Sequence, residues 1–224
     1  MLDVVEALLP PEFVAVDLAC GPGSISQRLL NRFPEARCIA VDMDPVMLAL
    51  GQGALGTSGG RLRWVEADIA LQRWLEKLAE PAVDVVLSTT ALHWLDSPQL
   101  VRLYRDLGAL IRPGGVFLNG DNMGFGPDVP TFQRLAQHAM DQDWSDEAFA
   151  ARGVETAEQW WAALALEPSM AAVIAERERR LALKERPESS AIFDLHVAAL
   201  RNAGFRESGT VWQSGSNRIL LAVR

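Results

Sequence analysis

Cysteine is scarce. The 224 residues hold two, Cys20 and Cys38, too few for the disulfide framework of a small secreted fold. Both read as reduced, buried thiols in strands, which points to a cytoplasmic protein. No run approaches the roughly 18–20 uninterrupted apolar residues that cross a bilayer. The opening MLDVVEALLPPE carries neither a basic n-region nor a cleavage site, so no signal peptide is expected. The three histidines lie far apart without a carboxylate pair at ligand spacing, so no metal site is expected either. Positive charge is the minority sign, with 21 Lys and Arg against 29 Asp and Glu and a net charge of −8. Such a field repels a polyanion, and no nucleic-acid partner is expected. The one basic candidate, ERERRLALKER at 176–186, alternates arginine with glutamate. It reads as a solvated helix face paired with itself.

What is present is the composition of an ordinary globular protein, 49% apolar and 22% charged, with length for one substantial α/β domain and an appendage. The stretch VAVDLACGPGSIS, 14–26, is a short apolar strand, a glycine turn and the start of a helix. Gly21 and Gly23 lack a Cβ and let the backbone turn sharply beside a ligand. Ser24 is expected to cap the helix ISQRLLNRF. The pattern then repeats. Strand RCIAVD (37–42) precedes a helix opened by Asp44-Pro45. Strand LRWVEAD (62–68) precedes a helix from Ile69 to Leu78 with Ile69, Leu71, Trp74, Leu75 and Leu78 on its inner side. Strand VDVVLSTT (83–90) is followed by a helix from Leu100 to Ile111, which Arg112-Pro113-Gly114-Gly115 ends. VFLNGD (116–121) is a fifth strand.

Five strands alternating with helices argue a doubly wound, mostly parallel sheet. Residues 122–190 carry no convincing strand and read as an insert of several helices. The sheet grammar returns with a helix near 190–203 and two strands around the turn SGSN (214–217). These close a seven-stranded sheet as an antiparallel C-terminal hairpin. The expected organisation is therefore a core of 1–121 and 191–224, with 122–190 as a helical lid after strand five.

A helix start behind a glycine turn suits a nucleotide-like ligand, and two classes compete for it. A nicotinamide-dependent oxidoreductase shares the glycine turn and an acid at the end of strand two, here Asp42. Three features speak against it: Ser26 stands where the third glycine of G-x-G-x-x-G belongs, Asp17 lies inside strand one, and a hairpin closes the sheet.

In order along the chain, VDLACGPGS, AVDMDPVML (40–48), EADI (66–69), DVVLSTTALHWL (84–95) and LIRPGGVFL (110–118) resemble the five motifs of the class I S-adenosylmethionine-dependent methyltransferases of small-molecule type. The resemblance implies S-adenosyl-L-methionine as cofactor, with Ala19, Cys20, Gly21 and Gly23 forming the turn against its methionine and ribose. It implies that Asp17 anchors the ammonium and that Asp42 accepts both ribose hydroxyls, a bidentate task suited to a carboxylate. Met43 and Met47 would cover the adenine, Asp68 and the Ile69 N–H would meet its edge, and the carbonyls of Ser88, Thr89 and Thr90 would face the ammonium.

Methyl transfer from a sulfonium needs alignment in a dry pocket, and a base only where the acceptor starts protonated. His93 is the candidate catalytic base, and Trp94, Asn122 and His196 are candidates for the acceptor pocket. Phe125, Phe132, Trp144, Trp160 and Trp161 of the insert are further candidates, either lining an apolar small-molecule site or making the lid's own core. A cofactor-binding protein without transfer activity is the remaining alternative.

Overall fold

The computed structural model describes residues 1–143, 146–182 and 191–224. Seven strands form one sheet: β1 (Val14–Leu18), β2 (Arg37–Asp42), β3 (Leu62–Glu66), β4 (Val83–Thr89), β5 (Ile111–Asn122), β6 (Glu207–Ser214) and β7 (Asn217–Val223). Their order is β3-β2-β1-β4-β5-β7-β6. The first five are parallel, and β7 runs antiparallel to both β5 and β6. The order reverses between β1 and β4, which opens a crevice at the carboxyl ends of those strands.

The core helices are α1 (Leu2–Leu8), α2 (Ser24–Arg32), α3 (Pro45–Leu55), α4 (Trp74–Leu78) and α5 (Ser97–Leu110). The helices between β5 and β6 are α6 (Pro130–Asp143), α7 (Asp146–Arg152), α8 (Ala157–Ala165), α9 (Ala171–Leu181) and α10 (Phe193–Asn202). Alternate side chains of the strands point to opposite faces, so the strands feed two cores. One lies under α4, α5 and α10 and includes Leu18, Leu103, Tyr104, Phe117 and Leu200. The other lies under α1 and α2 and includes Val5, Ala15, Leu29, Leu87 and Leu118. Burial on both sides explains the continuous apolar runs of β1 and β4. Gly108 sets the distance between α5 and α10, because a Cβ there would meet the Ala203 carbonyl oxygen at 2.2 Å.

Local chemistry fixes several helix starts. Asp44 accepts from the Val46 N–H at 2.9 Å ahead of Pro45. Asp96 and Gln99 form a reciprocal capping box on α5. Elsewhere the structure departs from expectation. Gly23, in the left-handed region at φ 84°, occupies the N-cap of α2, and Ser24 is its first helical residue. The helix expected over 69–78 is confined to Trp74–Leu78, and Leu71 is exposed. Residues 112–115 open β5 where the register with β4 shifts, instead of merely ending α5. Cys20 lies in the turn after β1 and not in a strand, though both cysteines are buried and free. No helix among the described residues is long and apolar enough to cross a membrane.

Candidate functional site

The carboxyl ends of β1, β2 and β4 carry the first cluster of candidate residues. Ala19 (φ 53°) and Thr90 (φ 50°) both adopt the left-handed conformation immediately after β1 and β4. For a residue with a Cβ that conformation costs on the order of 1 kcal/mol. Gly21, at φ 54°, has open space where a Cβ would project. Its N–H donates to Asp42 Oδ2 at 2.8 Å, while the Asp44 N–H donates to Asp42 Oδ1 at 2.8 Å. The Asp42 carboxylate thus ties the turn after β1 to the end of β2 with both oxygens oriented and a lone pair left on each. Burial raises its pKa against the pull of these N–H groups.

Asp17 is 1% exposed. Its Oδ2 accepts from the Ser26 N–H at 2.9 Å and the Ser26 hydroxyl at 2.6 Å. Ser26 therefore does work that a third glycine could not. Burial pushes the Asp17 carboxyl up to about 7. It also pushes the Cys38 thiol up to about 12 and Cys20 still higher, so neither is a ready nucleophile. Met43 and Met47 are half-buried beside Asp44. Asp68 Oδ1 accepts from the Ala70 N–H at 3.0 Å, next to the buried Ile69. Ser88 donates its hydroxyl to the Leu18 carbonyl at 2.9 Å, with Thr89 and Thr90 continuing along the edge.

The second cluster stands at the ends of β4 and β5. His93 lies in a single 3₁₀ turn, Leu92–Trp94, after β4. Its Nδ1 is 2.7 Å from Asp121 Oδ1, and its backbone N–H donates to Asp121 Oδ2 at 3.1 Å. Asp121 is buried, and the Asn122 N–H also donates to its Oδ1 at 2.8 Å. An ionised carboxylate only accepts, so this geometry suits the neutral tautomer in which Nδ1–H donates to Asp121 and Nε2 carries the lone pair. Asp121 escaped the sequence reading. Its one signal was an acid closing VFLNGD, beside the strand that leads to His93. Trp94 packs on His93 with ring centroids 5.0 Å apart. Asn122 turns its amide to the Met140 sulfur of α6 at 3.0 Å.

The aromatic candidates of the insert do not gather in one place. Phe125 and Phe132 are neighbours, 5.5 Å between centroids, at the β5 end. Trp160 and Trp161 pack edge to face at 4.9 Å, and the Arg177 guanidinium lies 4.0 Å from the Trp161 ring centroid. Arg177 in turn donates to Asp44 at 2.6 Å, which puts that pair by the end of β2. Trp144 falls outside the described residues. His196 is set in the core instead of facing a pocket: its Nδ1 is 2.6 Å from the Tyr104 hydroxyl, and burial lowers its pKa to about 4. Of the 176–186 stretch, residues 183–186 fall outside the described residues, and the described part is more than a self-paired face. Arg180 does bind Glu176, and Arg179 pairs with the same carboxylate. Yet Arg180 also reaches Glu66 at 2.6 Å, so α9 is tied to the core. Among the described residues no group of His, Cys, Asp and Glu is arranged to hold a metal.

A sheet of this order, with an oriented acid at the end of β2 and a glycine turn leading into α2, defines the class of the fold: an open α/β domain with its site at the point where the strand order reverses. Residues 15–115 match the family model described as "Methyltransferase domain". Trans-aconitate 2-methyltransferase of Shigella dysenteriae is 34% identical over 135 residues, 60% of this chain and 48% of that protein. The Variovorax paradoxus protein of the same name is 31% identical over 138 residues, 62% of this chain and 49% of that one. The matches thus span about half the length of these relatives. Among solved structures, an O-methyltransferase family 2 protein from Planctomyces limnophilus in complex with apigenin superposes with a TM-score of 0.60 at 17% identity, covering 97% of this chain and 55% of that one. Human N-acetylserotonin methyltransferase in complex with its cofactor gives 0.56 at 13% identity, covering 100% and 51%. At these identities the likeness shows the fold.

Proposed function

We propose that the protein is an enzyme that transfers a methyl group from S-adenosyl-L-methionine to a small-molecule acceptor in the cytoplasm. The observation that carries this reading is the Asp42 carboxylate, held by two backbone N–H groups at the end of β2 beside the open glycine turn, within the span of the methyltransferase domain match. These residues fit the cofactor. Two oriented carboxylate oxygens suit a pair of ribose hydroxyls, and the open side of Gly21 leaves room for the ligand at the backbone. Bound there, S-adenosylmethionine supplies an electrophilic methyl on a sulfonium whose sulfur leaves as a neutral thioether.

In this reading the chain does the holding. Ala19, Cys20, Gly21 and Gly23 present backbone to the ligand, and Asp17 steadies the turn through Ser26 and faces the ammonium. Met43 and Met47 cover the adenine, Asp68 and Ile69 meet its edge, and the carbonyls at 88–90 meet the amino-acid arm. His93, oriented by Asp121, takes the acceptor's proton at Nε2 when the acceptor starts protonated. Residues 122–190 act as the lid that excludes water. This is supported by the ties of α9 to Asp44 and Glu66 and of α6 to Asn122. The small-molecule class is supported by relatives named for trans-aconitate, and the acidic net charge argues against a nucleic-acid acceptor.

Calorimetric titration tests the proposal. S-adenosylmethionine and S-adenosylhomocysteine are expected to bind saturably and NAD not at all. Asp42→Ala should weaken the first two by about 2–3 kcal/mol, roughly 30- to 150-fold, as a charge-assisted bidentate contact is lost. NAD binding without S-adenosylmethionine binding would overturn the reading.

A further inference from the structure

The face of the sheet that carries Asp121 also carries an arginine whose Nε has no hydrogen-bond partner among the described residues. Asp121 and Arg218 are directly paired in the β5–β7 ladder, and directly paired residues on one face have neighbouring side chains. Arg218 is 6% exposed. Its guanidinium lies 4.2 Å from the Phe193 ring centroid and 4.5 Å from that of Phe125. Its Nε is buried with no hydrogen-bond partner among the described residues, and none of the ion pairs of the described residues involves it. Asp194 and Asp128 share the cavity it lines, about 280 Å³ in volume and also bordered by Val129 and Phe132. Asp194 acts on the arginine's charge only from a distance, while burial lowers its pKa.

Two aromatic contacts occupy the guanidinium through its π surface, but they satisfy none of its five N–H donors, which lie in its plane. A buried cation with an unused Nε edge is costly to keep unless something fills that edge. The acceptor that matches two parallel in-plane donors is a carboxylate. The surrounding Phe132 and Val129 suit an apolar or planar body attached to it. The cavity adjoins the end of β5, beside the strand position that holds His93.

We infer that Arg218 anchors the methyl acceptor by a carboxylate, so that the acceptors of this protein are small organic acids; this rests on the transferase reading given above. The anchored carboxylate is not the group methylated, because a guanidinium paired to its oxygens withdraws their nucleophilicity. A second oxygen of the same molecule, hydroxyl or carboxylate, forms the new bond to the methyl carbon. The electron pair of the broken carbon–sulfur bond stays on sulfur, and a hydroxyl proton passes to His93.

The test is titration of the full chain, saturated with S-adenosylhomocysteine, with two matched pairs: 4-hydroxybenzoate against 4-hydroxybenzamide, and trans-aconitate against its trimethyl ester. At least one acid is expected to bind roughly tenfold or more tightly than its neutral partner, a margin typical of a charge-assisted pair. Arg218→Met, an unbranched apolar replacement that still fits between the two rings, should erase that preference while S-adenosylhomocysteine affinity stays unchanged. Arg218→Lys should keep part of it, since the charge remains and the fork is lost. Equal binding of acid and neutral partner, no binding of either acid at millimolar concentration, or an acid preference that survives Arg218→Met would overturn the inference. Failure of the wild type to bind S-adenosylhomocysteine would instead sink the transferase reading, and acid binding that persists without it would leave the Arg218 site standing.

Discussion

Two buried titratable side chains pull the stability of this molecule in opposite directions with pH. His196, lowered to about 4 from 6.5, stays neutral in the fold while the unfolded chain binds a proton, so its contribution is lost as pH falls from 6.5 toward 4. Asp17, raised to about 7 from 3.8, is protonated in the fold where the unfolded chain is charged, so it penalises the fold as pH rises from 3.8 toward 7. Each slope is about 1.4 kcal/mol per pH unit and the signs oppose, so the two nearly cancel between about pH 4 and 6.5. Urea denaturation across that range should expose each slope once the other is removed. His196→Gln should gain stability relative to wild type as pH falls, and Asp17→Asn should gain it as pH rises. Curves parallel to the wild type would show that these groups are not buried as described. The His93–Asp121 pair makes a separate residue-scale statement. Nitrogen-15 NMR should find His93 in one tautomer with the proton on Nδ1, and Asp121→Asn should populate the other. A mixture in the wild type would remove the dyad from the mechanism.

At the scale of elements, α9 is held by charge where the core helices are held by apolar burial. None of its side chains is buried; Arg177 and Arg180 reach Asp44 and Glu66 at the ends of β2 and β3. Partly exposed ion pairs of this kind contribute about 0.5–1 kcal/mol each. An element so attached opens at low cost compared with the sheet. Arg177→Ala combined with Arg180→Ala should therefore speed amide hydrogen exchange within 171–181 by roughly 5- to 30-fold. Exchange in β1, β4 and β5 should stay unchanged, and raised salt should partly mimic the double variant. Unaltered exchange in α9 would mean that its position does not depend on these pairs.

At the scale of the whole molecule, the proposed function divides the carboxyl edge into a cofactor side at β1–β3 with the end of β4, and an acceptor side at β5 and β7 with the turn that follows β4. The described insert helices touch both, α9 at the first and α6 at the second. The division explains why the insert's aromatics separate: Trp160 and Trp161 go with α9, while Phe125 and Phe132 go with the end of β5. The surrounding charge of −8 is local neither to Arg218 nor to the α9 arginines; it bears on long-range encounter, where it disfavours polyanions.

What the sequence determined by itself was everything governed by short spacing. Buried strands announce themselves as apolar runs, a turn by Gly21 and Gly23, a helix start by Asp44-Pro45, and a hairpin by SGSN, because each needs only residues within reach of one another along the chain. The order of the motifs then carried the cofactor candidates Asp42, Asp68 and Asp17. The signals failed where one residue serves another far away. Ser24 looked like a cap, yet Gly23 took that position because the turn after β1 requires the left-handed region. The 69–78 segment had helical periodicity, but Ile69 and Ala70 are buried as part of the loop after β3, and the helix forms only over Trp74–Leu78. Asp121 and His93 are 28 residues apart, Arg218 meets Phe125 and Phe193 only through the β5–β7 ladder and α10, and Arg180 finds Glu66 across 114 residues. Side chains that far apart are brought together by strand register and helix packing, so only the tertiary structure could decide that a histidine acquires its acid, and that an arginine is buried against two phenyl rings.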